Sequence, residues 1–214
     1  MPKILGLDLS SSTGYAIVTD KGLGAYGNIS SSPKNPNHSD DLSYFYRSME
    51  IGKAVARVIL KESPDEIFIE QINLGRNRMS QKFLDFVHFA VLLQMPSDYH
   101  DKVRYVDTSM WRTDLEVKLT KEQRLHNTEV AKKRRSAKGK GQRFSPGKGN
   151  GKIGWKHLST DWANKKYSLE LKVSAENDIA DAIAVATFGL KKHGQNVDFV
   201  KEAVKKVKKM MSGR

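Results

Sequence analysis

The most constraining feature of the sequence is an apolar run near the N-terminus that holds one carboxylate, Asp8. The neighbours of Asp8 in this run are aliphatic: Ile4, Leu5, Leu7 and Leu9. Such a run predicts a strand near the centre of a sheet. A carboxylate in that place is costly unless a nearby group compensates for its charge. The run therefore predicts a buried strand, and the charge of Asp8 within it needs a functional or structural explanation.

Further along the chain, short apolar runs alternate with helical patterns. The predicted strands cover residues 3–8, 14–19, 23–29, 66–71 and 103–106. Apolar residues spaced by three and four predict helices between the third, fourth and fifth strands, and again near residues 157–169 and 177–193. This order predicts an α/β fold in which helices cover both faces of one mixed five-stranded sheet.

The positive charge of the chain, +13 in total, is confined to two segments. Residues 118–156 carry a net charge of +11 and residues 191–214 carry +6, which leaves −4 for the rest. Charge kept only for solubility usually mixes both signs. Clustered positive charge is instead typical of a protein that binds a polyanion.

These segments also suggest the domain organisation. We expect one domain over residues 1–193 with a basic insertion at about 118–156, followed by a basic amphipathic helix or tail over 194–214. Residues 136–154 are rich in Gly, Lys and Ser and predict a mobile loop. The absence of cysteine excludes disulfides and thiolate metal sites. No apolar run has the length of a signal peptide or a membrane span, so we expect a soluble cytoplasmic protein.

Three further acids join Asp8 as candidate site residues. Glu70 ends the fourth strand, and Asp178 and Asp181 stand three residues apart at the start of a helix, on one helical face. Taken singly, each has an ordinary explanation, such as a hydrogen bond to the backbone or a favourable position at a helix N-terminus. Taken together, four carboxylates suit Mg²⁺ or Mn²⁺, and two such ions can promote phosphodiester cleavage.

Three segments resemble the signature regions of RuvC-type Holliday junction resolvases, within the RNase H-like superfamily. They are "ILGLDLSSSTGYAIV", "IFIEQINLGRN" and "NDIADAIAVA". The resemblance implies an RNase H-like fold in which Asp8, Glu70, Asp178 and Asp181 bind two Mg²⁺ ions. It also implies a homodimer that nicks two opposed strands of a four-way junction. A compact version with an added basic segment would suit a phage or another virus, which would place it in the host cytoplasm.

The chain departs from the family pattern at three places. Asn73 and Leu74 stand where the family often has a bulky residue that wedges into the junction. The basic segment at 118–156 is longer than usual. Ala184 and Val185 follow the "DxxDA" motif where a further acid or His is common, so Asp178 would have to serve as the fourth ligand. These departures bear on the substrate more than on the chemistry.

Basic and aromatic residues outside the acidic motifs are candidates for DNA contacts. Trp111 offers a stacking face, but a core position is the favoured interpretation because its ring can bury a large area. The "KKRR" run predicts phosphate contacts, with a localisation signal as the competing interpretation. His88 is expected to be a hydrogen-bonded core residue without a catalytic role. The candidate DNA-binding residues are Arg76, Arg78, Lys82, Trp111, Arg112, Lys132, Lys133, Arg134, Arg135, Lys138, Lys140, Arg143 and Lys148.

The sequence thus favours a metal-dependent endonuclease that resolves four-way junctions or related branched DNA. Another RNase H-like nuclease, acting on RNA–DNA hybrids, flaps or forks, would use the same carboxylates. A non-catalytic DNA-binding protein with structural acids is a third possibility. Actin-like sugar kinases have a phosphate loop similar to "GLDLSSSTG", but they need two such domains and a second Asp-Gly motif, which this chain lacks.

Overall fold

The computed structural model describes residues 1–71, 78–139, 145 and 151–194. Within them, the strands are β1 (Ile4–Asp8), β2 (Ser12–Thr19), β3 (Gly22–Ser30), β4 (Glu66–Glu70) and β5 (Val103–Val106). They form a sheet in the order β3-β2-β1-β4-β5. The first three strands pair antiparallel, whereas β4 runs parallel to both β1 and β5. The predicted mixed five-stranded sheet is confirmed.

Helices follow the strands in the predicted alternation. The helices of the described residues are α1 (Asp40–Glu62), α2 (Arg78–Gln94), α3 (Thr108–Asp114), α4 (Lys121–Gly139), α5 (Trp155–Tyr167) and α6 (Val173–Lys192). A short 3₁₀ turn, Ser97–Lys102, leads into β5. The helix predicted from residue 177 begins four residues earlier, with non-helical dihedrals at Glu176 that divide its first turn from the rest.

Both faces of the sheet are covered because alternate strand residues point to opposite sides. Leu5 packs in one buried cluster with Ile51 of α1 and Val87 of α2. Ile4, the preceding residue, packs in a second cluster with Phe188 of α6. The prediction of helices on both faces is confirmed.

Two strand glycines let α6 lie directly on the sheet. A Cβ on Gly6 of β1 would lie 2.5 Å from the amide nitrogen of Ala186 and would also meet the carbonyl oxygen of Ala182. A Cβ on Gly14 of β2 would overlap the carbonyl oxygen of Asp178. The backbone of α6 can therefore approach these strands only where a side chain is missing.

The basic segment contains a helix that reaches into the predicted mobile loop. α4 continues to Gly139, so the loop prediction from residue 136 is wrong for its first residues. Thr120 and Gln123 form a capping box: the hydroxyl of Thr120 accepts from the Gln123 N–H at 3.2 Å, and the Gln123 side chain accepts from the Thr120 N–H at 2.9 Å. This cap and a composition rich in Lys, Arg and Ala stabilise a helix without an apolar stripe.

A buried amide ties α4 to the start of α5. The side chain of Asn127 donates to the Ile153 carbonyl at 2.9 Å and accepts from the Ile153 N–H at 2.7 Å. The ring of His126 also lies 3.0 Å from the Gly151 carbonyl. These bonds hold α4 against the residues that precede α5.

Several predictions fall on residues outside the described ranges. They are the DNA-binding assignments of Arg76, Lys140, Arg143 and Lys148 and the C-terminal helix or tail after Gly194. Over the ranges that the structure does describe, no helix combines the length and apolarity needed to cross a membrane.

The contact between β2 and α6 can be tested with Gly14→Ala. We expect the added methyl group to displace the start of α6 and to cost about 1–3 kcal/mol, which lowers the melting temperature by about 3–10 °C. Gly24→Ala is the matched control, because a Cβ there would be 3.4 Å from its nearest neighbour, an ordinary contact. Equal melting temperatures for the two variants in calorimetry would contradict the close packing of α6.

Candidate active site

Strand register brings Asp8 and Glu70 to one edge of the sheet. Leu7 of β1 pairs with Ile69 of the parallel strand β4, so each carboxylate occupies the next position of its strand. Asp8 lies two residues after Gly6, and Glu70 lies two residues after Phe68. Because the side-chain period of a strand is two, both acids face the side of the sheet that α6 covers.

The first turns of α6 bring Asp178 and Asp181 to the same edge. Ile179 and Ile183 of this helix are buried in a cluster with Ala16 of β2, which fixes the rotation of the helix on the sheet. Asp181 is only 9% exposed, and Asp178 is half-buried. The four predicted acids therefore come from three separate parts of the chain to one place.

The pKa values of the four carboxylates reflect their proximity. Burial raises the pKa of Asp8 well above its usual value, and repulsion from Asp181, Glu70 and Asp178 raises it further. Burial likewise raises the pKa of Asp181 to about 7. The Lys156 ammonium on α5 opposes these effects and lowers the pKa of Asp8. Carboxylates whose charge the protein compensates only in part are thus concentrated at this edge of the sheet.

Glu70 is held by two side chains of α3. The Thr108 hydroxyl donates to Oε1 at 2.6 Å, and the Trp111 indole N–H donates to Oε2 at 3.1 Å. Burial raises the pKa of Glu70, while these two donors and the nearby Arg112 guanidinium lower it. Both oxygens of Glu70 are therefore oriented by the protein itself.

The position of Trp111 overturns one DNA-binding prediction. Its side chain is 0% exposed and packs in the core cluster beneath α6. Its indole therefore cannot stack on DNA, and the prediction of Trp111 as a stacking face is wrong. The core position accommodates the large ring, and its N–H finds a partner in Glu70.

The site has a buried oxygen that suits a cation. Asp181 Oδ1 is buried and has no hydrogen-bond partner among the residues that the structure describes. Such an atom calls for an explanation, and an ion is one. The donors are all carboxylates, the ligands that Mg²⁺ and Mn²⁺ prefer. Across the described residues, no three Asp, Glu, His or Cys side chains are yet grouped as a metal site, so the carboxylates would have to draw closer around an ion.

Comparison with solved structures identifies the fold. RuvC of Thermus thermophilus in complex with a Holliday junction substrate is similar at 14% identity and a TM-score of 0.55, over 90% of this chain and 97% of that chain. A second structure of T. thermophilus RuvC is similar at 15% identity and a TM-score of 0.53, over 88% and 95%. The chain has the RuvC-type fold.

Other comparisons add little to that result. The yeast mitochondrial Holliday junction resolvase Ydc2 is similar at 14% identity and a TM-score of 0.47, over 91% of this chain and 82% of that chain. No family model and no curated protein matches the chain. The structural similarity confirms the RuvC-type fold that the three sequence motifs predicted. Because the sequence identities to the two RuvC structures are only 14% and 15%, the similarity shows the fold alone.

The remaining candidates for DNA contacts lie at different places on the RuvC-type fold. Arg78 begins α2 and is exposed, while Lys82 pairs with Asp41 at 2.7 Å. The guanidinium of Arg112 contacts the rings of Trp111 and Trp155, with its carbon 4.9 and 4.7 Å from their centroids. The basic residues of α4 are all exposed: Lys132, Lys133, Arg134, Arg135 and Lys138. Their role in DNA binding stays a prediction.

Some residues of the site were not found from the sequence. Thr108, Trp155 and Lys156 follow β5 or begin α5, and only the topology shows that these segments meet the carboxylates. His88 matches its prediction as a core residue: its ring stacks on Tyr105 and lies 3.3 Å from the phenol oxygen. Burial lowers the pKa of His88 to about 4, so the ring is neutral at pH 7.

The buried charge of Asp181 makes a prediction about stability. Its pKa rises from 3.8 to about 7 on folding, so the folded state holds the proton more tightly and stability falls as the pH rises through this window. Asp181→Asn cannot ionise. In metal-free buffer at about pH 8 we expect it to melt several degrees above the wild type, since one pKa unit corresponds to about 1.4 kcal/mol.

The advantage of Asp181→Asn should grow between about pH 4 and pH 7 and then stay constant. Asp161→Asn, which removes an exposed charge from α5, is the matched control and should show no such trend. A lower melting temperature for Asp181→Asn than for the wild type at about pH 8 would contradict this account.

Proposed function

We propose that the protein is a metal-dependent, structure-specific DNA endonuclease that resolves four-way junctions or related branched DNA. The observation that carries the proposal is the convergence of Asp8, Glu70, Asp178 and Asp181 at one sheet edge of a RuvC-type fold. The similar RuvC structure that contains a Holliday junction substrate supports the choice of substrate.

The proposal assigns the four carboxylates to two divalent ions, Mg²⁺ or Mn²⁺. Bound there, such ions would activate water and stabilise the leaving oxygen in phosphodiester hydrolysis. Thr108 and Trp111 would keep Glu70 oriented toward the ions. Burial raises the pKa of Asp8 and Asp178, and the Lys156 ammonium, which opposes that rise, would favour the ionised forms that bind a cation.

Binding of DNA is assigned to the exposed basic surface of α4. The exposed run Lys132–Arg135 and Lys138 lie on α4, which Asn127 ties to the segment before α5. Phosphate contacts from this helix would position the duplex without reading its sequence.

We also propose that the active form is a homodimer. A four-way junction presents two opposed strands, and one copy of the site serves only one of them. Phe89 and Leu93 are 62% and 58% exposed, one turn apart on α2. An exposed apolar pair of this kind supports a contact between two copies.

The nuclease proposal predicts metal-dependent cutting that the carboxylates control. With Mg²⁺, the protein should cut a synthetic four-way junction, and EDTA should stop the reaction. Asp8→Asn and Glu70→Gln should each lower the rate by more than the roughly 10–100-fold typical of losing a group that only orients a ligand, while junction binding in gel shifts is retained.

The control for this experiment is Asp161→Asn, which should cut like the wild type. A panel of four-way junctions, forks, flaps and RNA–DNA hybrids should show a preference for branched DNA. Preferential cutting of the RNA–DNA hybrid would instead indicate that the protein is another nuclease of the RNase H-like type. Equal cutting by the wild type and Asp8→Asn would rule out this metal site.

The role of α4 predicts a change in salt dependence. Replacing Lys132 and Arg135 with Ala should reduce the slope of log K against log salt by up to about 1.8, because each phosphate contact contributes about 0.9. Lys53→Ala/Arg57→Ala removes the same two residue types from an exposed part of α1 and is the matched control. If both pairs change the slope equally in fluorescence anisotropy, α4 has no special part in binding.

A further inference from the structure

A cavity of about 510 Å³ opens along α3, the helix whose Thr108 and Trp111 hold Glu70. Its walls come from α3, the residues that follow α3, and the start of α5. The volume lies in the range of small-molecule sites and exceeds what one nucleobase needs. The side chains that matter for its chemistry are Asp107, Thr108, Arg112, Glu116, Lys118 and Trp155.

One wall of the cavity is an aromatic ring that the protein supports from within. Trp155 is 51% exposed, which is unusual for so large an apolar side chain. The Arg112 guanidinium contacts this ring and also contacts the buried ring of Trp111. Trp155 is therefore braced against the core while half of its surface stays accessible. A supported and accessible indole is a stacking platform for a base.

The charges of the cavity favour a base over a phosphate group. Arg112 and Lys118 are cationic, but the carboxylates of Asp107 and Glu116 line the same space. Glu116 lies 3.9 Å from the Lys118 ammonium and offsets its charge. A phosphate would meet the two carboxylates at close range. A neutral base can stack on the ring and donate a hydrogen bond from its exocyclic amine to a carboxylate.

The cavity and the candidate metal site share residues. Thr108 lines the cavity and donates to Glu70 at 2.6 Å. Lys156 directly follows Trp155 and acts on the pKa of Asp8 and Asp178. A base in the cavity would therefore belong to a nucleotide close to the phosphate that the carboxylates address.

We propose that this cavity takes an unpaired nucleobase of the strand that is cut, beside the scissile phosphate, with the base stacked on Trp155. The assignment to the cut strand rests on the proposed function. The stacking itself requires only that the protein binds branched or single-stranded DNA.

The test compares intact and abasic junctions. In an Asp8→Asn background, which prevents cutting, affinities are measured for junctions that lack one base at each position around the cut site. An abasic site removes the base and keeps the phosphate. We expect one position at which loss of the base weakens binding by about 5- to 100-fold. Adding Trp155→Ala should abolish that difference, and Trp155→Phe should restore most of it.

Tyr26→Ala, which removes an exposed ring from β3, is the matched control and should leave the abasic effect unchanged. Thermal melting verifies that each variant is folded. If Trp155→Ala retains the full abasic effect, or if no position shows one, the base site is overturned even when Mg²⁺-dependent cutting is observed. If the wild type cuts no substrate yet Trp155→Ala removes the abasic effect, the proposed function fails and the base site stands.

Discussion

The seating of α6 on β1 and β2 is the contact on which the candidate site depends. Gly6 and Gly14 remove the side chains that would hold the helix away from the sheet. Ile179 and Ile183 then fix its rotation, so that Asp178 and Asp181 face the edge where Asp8 ends β1. Small strand residues, which contribute little to the core themselves, thus determine where the charges meet.

The same seating makes the metal-free site electrostatically unfavourable. Four carboxylates in a partly buried place repel one another, and burial raises the pKa of each. The protein offsets only part of this cost, through Thr108 and Trp111 on Glu70 and through Lys156 near Asp8. Such arrangements are common at functional sites, where stability is given up for a chemical task. A divalent cation would relieve the repulsion and connect the three chain segments.

The alternation of apolar residues made much of this architecture predictable. It indicated the central strand that carries Asp8, the strand that ends on Glu70 and the helix that carries Asp178 and Asp181. Periodicity could not place Trp111: the size of its ring favoured a core position, but only the structure shows its surroundings. α4 was not foreseen: it has no apolar stripe, and its one clear signal is the Thr120–Gln123 capping box. The roles of Thr108 and Lys156 could not be predicted, because their chain segments come close to the carboxylates only in the folded structure.

The basic segment of residues 118–156 begins and ends at one cavity. Lys118 and Trp155 both line this cavity, and Asn127 ties the segment together by its two bonds to Ile153. The residue after Trp155 is the lysine that acts on Asp8. On this RuvC-type fold, the bonds between Asn127 and Ile153 thus connect α4, with its exposed basic residues, to the start of α5, which carries Trp155 and Lys156.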